Sequence, residues 1–127
     1  VPDYIGYLEA TGMFNALREP GHSDNLLAKP EKLYLGNSNI SYSLSEDGII
    51  DDGNMRETNF LAWTKHIYSP TSSKISDFEI KGITFEVGGK NKNGAQIKDA
   101  RTGYLVKDNL EYAFGNSIPI WMFGFLY

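Results

Sequence analysis

A chain of 127 residues with 41% hydrophobic and 22% charged residues has the length and makeup of one globular domain around a single core, and it lacks the ~20-residue apolar run that would span a bilayer. A formal net charge of −4 excludes the broad basic excess of a protein that coats nucleic acid. The absence of cysteine excludes disulfides and thiolate metal sites and fits a cytoplasmic protein.

The charge is unevenly spread: residues 74–107 hold seven Lys or Arg against four Asp or Glu, while the remainder holds five against twelve. The basic stretch either meets phosphates or decorates a solvated sheet edge. Because no basic stretch followed by an apolar one opens the chain, it reads as a piece of a longer protein. Tyr4, Tyr7 and Leu8 fall on one face of a helix over Asp3 to Thr11, which Gly12 ends. A short strand over Met13 to Leu17, a loop through Pro20-Gly21, and a second extended run at Lys32 to Leu35 follow. A helix followed by a hairpin suggests the tail of a winged helix.

After Gly36, Asn37 or Ser38 caps a short helix containing Ile40 and Leu44. The acidic loop Ser45 to Gly53 has the wrong spacing for a calcium loop: Glu46, Asp47, Asp51 and Asp52 do not alternate as such ligands must. Phe60, Trp63 and Ile67 recur at i, i+3, i+7, which predicts an amphipathic helix over Met55 to Tyr68, ended by Pro70. Glu57 lies at the border of its apolar stripe. It is placed either to project toward whatever the helix covers or to serve as a first-turn Glu favoured by the helix dipole.

The segment Lys74 to Val87 alternates on both sides of Lys81-Gly82 and predicts a β-hairpin with a two-residue turn. That register sets Ile80 against Ile83, Glu79 against Thr84, Phe78 against Phe85 and Asp77 against Glu86. The apolar pairs share one face, which should be buried. The other face brings two carboxylates together, a destabilising pair unless a cation compensates. A hard cation such as Mg²⁺ or Mn²⁺ takes carboxylate oxygens and keeps water that attacks phosphodiesters. The alternative is a solvated face neutralised by Lys74, Lys81 or Lys90. A further strand over Gly103 to Lys107 completes a mainly antiparallel sheet. The apolar tail from Pro119 (Ile120, Trp121, Phe123, Phe125, Leu126) should dock against this domain.

The runs Lys29 to Asn39, Arg56 to Leu61, Phe85 to Lys92 and Ile118 to Tyr127 resemble the ends of bacterial AAA-type ATP-binding proteins. In that family an ATPase domain precedes a winged-helix segment and a C-terminal domain of unknown function, whose pattern is similar to the restriction-endonuclease-like PD-(D/E)xK class. The resemblance implies an α/β (α+β) fold with a mixed sheet flanked by helices. It divides the chain into the end of a winged-helix segment, residues 1–29, and a nuclease-like domain, residues 30–127. No G-x-x-x-x-G-K-[ST] motif is present, so no nucleotide site is assigned to this chain.

Carried over by position, the class pattern assigns the helix Glu to Glu57, the strand Asp to Asp77 and the next strand's Glu to Glu86, with Asp77, Glu86 and Glu57 as metal ligands. The lysine departs from the pattern, because Gly88 stands two residues after Glu86. Lys90 is the substitute, with Gln96 on a helix over Asn93 to Ala100 as an orienting residue. Two functions follow from the resemblance: a Mg²⁺- or Mn²⁺-dependent nuclease acting on nucleic acid, or an inactive regulatory domain partnered with an upstream ATPase domain.

Overall fold

The structure, a computed structural model, describes residues 2–23 and 25–126. Helix α1 (Pro2–Ala10) leads into an antiparallel pair, β1 (Phe14–Leu17) and β2 (Lys32–Leu35). The two paired strands lie on either side of the boundary drawn between residues 29 and 30. A buried arginine ties this pair to the helix. The Arg18 guanidinium meets the Glu9 carboxylate at 2.9 and 3.3 Å and donates to the Ala28 carbonyl at 3.1 Å. Burial of that charge is tolerated because it is paired and hydrogen-bonded. The expected helix face is not packed inward: Tyr4 and Tyr7 are 72% and 70% exposed.

Helix α2 (Ser38–Leu44) starts where the Asn37 side chain accepts from the Asn39 N–H. The acidic loop supplies the next cap, since Asp51 accepts from Asn54 N–H at 2.8 Å to begin α3 (Asp52–Thr64). The α3 helix ends one turn short of the expected Tyr68. Thr64 turns its hydroxyl back onto the Phe60 carbonyl at 2.7 Å, and Ile67 lies outside the helix, 45% exposed. Phe60 and Leu61 carry the buried stripe.

A five-stranded sheet follows, in the order β3 (Thr71–Ser72), β4 (Phe78–Ile80), β5 (Ile83–Gly88), β6 (Gly103–Lys107), β7 (Ser117–Pro119). The predicted hairpin register is present: Phe78 pairs with Phe85, Glu79 with Thr84 and Ile80 with Ile83. Its turn holds both Lys81 (φ 50°) and Gly82 (φ 78°) at positive φ, the handedness that matches the twist of the flanking strands. Lys81 tolerates this unusual backbone with its ammonium 5.4 Å from the Tyr68 ring centroid, within reach of a cation–π attraction.

The expectation of a mainly antiparallel sheet is corrected. The β3–β4 and β4–β5 pairs are antiparallel, whereas β5–β6 and β6–β7 are parallel. The chain from Gly89 to Thr102 is long enough to return and start β6 beside the start of β5, which a tight turn cannot do. Phe78 and Phe85 are buried with Phe60, whose ring lies 4.9 Å and 5.4 Å from theirs. The tail docks on this core through a 3₁₀ helix, Ile120–Phe125. Ile120 is buried there, and Phe123 stands edge-on to Phe60 at 4.9 Å. Trp121 and Phe125 remain half or more exposed.

Candidate functional site

Three carboxylates approach the start of the β4–β5 hairpin from three segments. Asp77 immediately precedes β4, and its Oδ2 accepts the Val87 N–H at 2.8 Å, which anchors the side chain to β5. Glu86 lies within β5 and is 1% exposed. Its alternation with Phe85 and Val87 puts it on the sheet face opposite to the aromatic core. Glu57 comes from the second turn of α3, one turn ahead of the buried Leu61.

The cations arranged around these acids are not those assigned from sequence. Lys92 Nζ lies 3.1 Å from Glu86 Oε1. Lys90 is exposed, and among the described residues the hydrogen bond at this position is to its backbone carbonyl, from the Lys107 ammonium at 3.4 Å. The physical reason is the turn in which the Lys92 N–H donates to the Gly89 carbonyl at 3.0 Å. This turn folds the chain back so that the Lys92 stem runs across Gly88. A Cβ built on Gly88 would stand 2.8–3.0 Å from Lys92 Cδ, Cγ and Cβ. The stem thus fills the space of a side chain at position 88, the position where the class pattern has its lysine. Gln96 is also displaced from its expected setting. The helix over Asn93 to Ala100 is only a 3₁₀ turn, Ala95–Ile97, and Gln96 is exposed on it.

Two further side chains, Lys32 and Tyr34, enter from β2. They alternate to the same face of that strand. The Tyr34 hydroxyl donates to Glu57 Oε2 at 2.6 Å. The Lys32 ammonium lies 3.9 Å from Glu57 Oε2 and 3.8 Å from Asp77 Oδ1, spanning both acids. Sequence reasoning passed over Lys32 and Tyr34 as part of a packing hairpin. Their signal was the polar pair at i and i+2 of a strand whose other face carries Leu33 and Leu35. For Lys92, the signal was the Gly88-Gly89 pair, which permits a close crossing as well as a bulge.

Burial pushes the Glu57 carboxyl above its ordinary range. The Tyr34 hydrogen bond opposes that shift, nearby Asp77 adds to it, and Lys32 and Lys92 pull it back down. Burial also raises the Tyr34 phenol strongly, reinforced by its bond to Glu57, so it stays a neutral donor. Glu86 Oε2 is buried without any hydrogen-bond partner among the described residues. Such an orphan in a native protein calls for an explanation, and an ion or an ordered water supplies one. The donors are all oxygen, the set that hard divalent cations take. Among the described residues, no group of three or more acidic, His or Cys side chains is placed to hold an ion.

No family model matches the chain. Chaperone protein ClpB of Rhodopirellula baltica is similar to it, at 28% identity over 99 residues. Those residues are 78% of this chain and 11% of that protein, so the chain spans about a tenth of the relative's length. No solved structure matches. Among the described residues, no helix is long and apolar enough to cross a membrane.

Proposed function

We propose that this chain is part of a larger AAA-type ATP-binding protein and carries a nuclease-type site for divalent-cation-dependent cleavage of phosphodiesters. The observation that carries the reading is Glu86: a buried carboxylate on β5 with one oxygen on Lys92 and the other unpartnered, beside the anchored Asp77. A helix Glu, a strand-leading Asp and a Glu on the next strand support the restriction-endonuclease-like assignment. Lys92, crossing Gly88, supports a migrated form of its lysine. The weak likeness to chaperone protein ClpB is compatible with an AAA-type context. An upstream ATPase domain is the proposed partner and nucleic acid the proposed substrate.

In this reading Asp77 and Glu86 hold Mg²⁺ or Mn²⁺, and Glu57 holds the ion or its water. When bound, such an ion polarises the phosphate and lowers the pKa of its water toward neutrality. Lys92 stands to stabilise negative charge developing on the phosphate, and Tyr34 orients Glu57. Lys90 and Gln96 are exposed and keep at most a role in contacting the nucleic acid. The competing reading, an inactive regulatory domain, is favoured by Lys32, whose ammonium already neutralises Glu57 and Asp77.

The test is titration of the protein with Mg²⁺ followed by amide NMR, alongside cleavage assays on single- and double-stranded DNA and RNA with Mg²⁺ or Mn²⁺. The nuclease reading expects shifts centred on Asp77 and Glu86, cleavage, and loss of both in Asp77→Asn and Glu86→Gln. Lys92→Ala should retain the metal response and lose cleavage. Metal binding without cleavage would favour the regulatory reading, and no response at millimolar cation would overturn the metal site.

A further inference from the structure

Lys32 belongs to a different sheet from the acids it bridges. Among the described residues its strand β2 pairs with β1 alone, while Glu57 sits on α3 and Asp77 leads into β4 of the five-stranded sheet. Its ammonium stands at 3.8 and 3.9 Å, outside hydrogen-bond length, between carboxylates of α3 and of the residue leading into β4. The Lys32 side chain is 44% exposed, so its flexible stem can swing into water without opening the core. Lys92 is held more closely, although its side chain is also 36% exposed. It makes a 3.1 Å contact to a buried oxygen, and its stem is laid against Gly88.

We infer that Lys32 is a displaceable counter-ion, a specificity-determining residue that holds Glu57 and Asp77 together when no divalent cation is bound and must leave for one to enter. The inference rests on the cation-site reading above. Glu57 and Asp77 lie close enough to repel one another, and the exposed lysine between them relieves that repulsion only weakly. A doubly charged ion replaces it with a stronger attraction. The freed ammonium then stands beside the site, positioned to meet a phosphate of the substrate. Because β2 is continuous with the β1–β2 hairpin, the position of that hairpin sets how readily Lys32 withdraws.

The test is Mn²⁺ binding by isothermal titration calorimetry to the wild-type chain, Lys32→Gln and, as a charge control on the strand beside Gly88, Lys107→Gln. Mg²⁺ titration would be followed in parallel by NMR of the Lys32 side-chain methylene. Removing two weak, solvent-exposed ion pairs should tighten Mn²⁺ binding by about two- to thirtyfold in Lys32→Gln. Lys107→Gln should stay within about twofold of wild type, and the Lys32 methylene signal should move with Mg²⁺. Binding in Lys32→Gln but not in wild type would also support the inference. Equal effects of the two variants, or unchanged or weaker binding in a Lys32→Gln protein with wild-type circular dichroism, would overturn it while leaving the cation site standing. No binding to any of the three proteins would overturn the inference together with the site.

Discussion

Replacing Lys92 with Met isolates the one cation that contacts Glu86. In the wild type, Glu86 Oε1 has Lys92 at 3.1 Å and Oε2 has no partner, with the residue 1% exposed. Met keeps most of the stem that crosses Gly88 but removes the charge. Glu86 must then stay ionised without its ion pair, take up a proton, or rotate outward. Breaking a buried pair by removing one partner typically costs about 3–5 kcal/mol. Lys92 is itself 36% exposed, so solvent screens part of the attraction, and about 2 kcal/mol is the reasonable expectation. Urea denaturation at neutral pH in the presence of EDTA measures it. On a domain of this size about 2 kcal/mol lowers Tm by about 7–8 °C. Glu86→Gln/Lys92→Met should recover most of the loss, because a neutral amide no longer needs the ammonium. A Lys92→Met protein within about 0.5 kcal/mol of wild type, or a double variant no better than the single one, would refute the view that Lys92 compensates Glu86.

Gly88→Ala should act on the same pair, since its methyl would collide with the Lys92 stem. Its stability loss should largely disappear in a Lys92→Ala background, as a thermal-melt cycle would show. Glu57 carries a pKa raised by burial, so its ionised form is less stable in the folded state than in the unfolded one. The stability associated with its proton is fully present below the unfolded pKa and is lost as pH rises through the folded value. Glu57→Gln should therefore be more stable than wild type at neutral pH, with the difference closing in acid, measured by urea melts across that range. Phe123 packs on Phe60 and Phe85. Phe123→Ala should cost about 2–3 kcal/mol in the same assay, and an unchanged midpoint would show that the tail does not hold the core.

The hairpin register and the burial of Phe78 and Phe85 were legible because a strand repeats every two residues and the Lys81-Gly82 turn leaves one register that hides the apolar side. Once that register is drawn, Asp77 falls beside the β5 strand, and its carboxylate accepts the Val87 N–H. The end of α3 was not legible. Ile67 and Tyr68 continue the apolar pattern, but the chain leaves the helix in a turn where the N–H groups of Ile67 and Tyr68 both donate to the Thr64 carbonyl. Likewise a lysine partner for Glu86 was sought along the strand at Lys90, whereas a turn after Gly89 brings in Lys92 from the side.

The sequence by itself determined which residues share a strand face and where the chain turns. Both are set by interactions a few residues apart. Only the tertiary structure decided that half of the pairings in the five-stranded sheet are parallel and that Lys32 and Tyr34 reach Glu57. Tyr34 and Glu57 are 23 residues apart in the chain, and no local periodicity specifies such a meeting. It arises because β2 and α3 are both drawn onto the same apolar core, through Tyr34 against Phe78 and Phe60 against Phe85. That packing carries the polar ends of Tyr34 and Lys32 to the carboxylates.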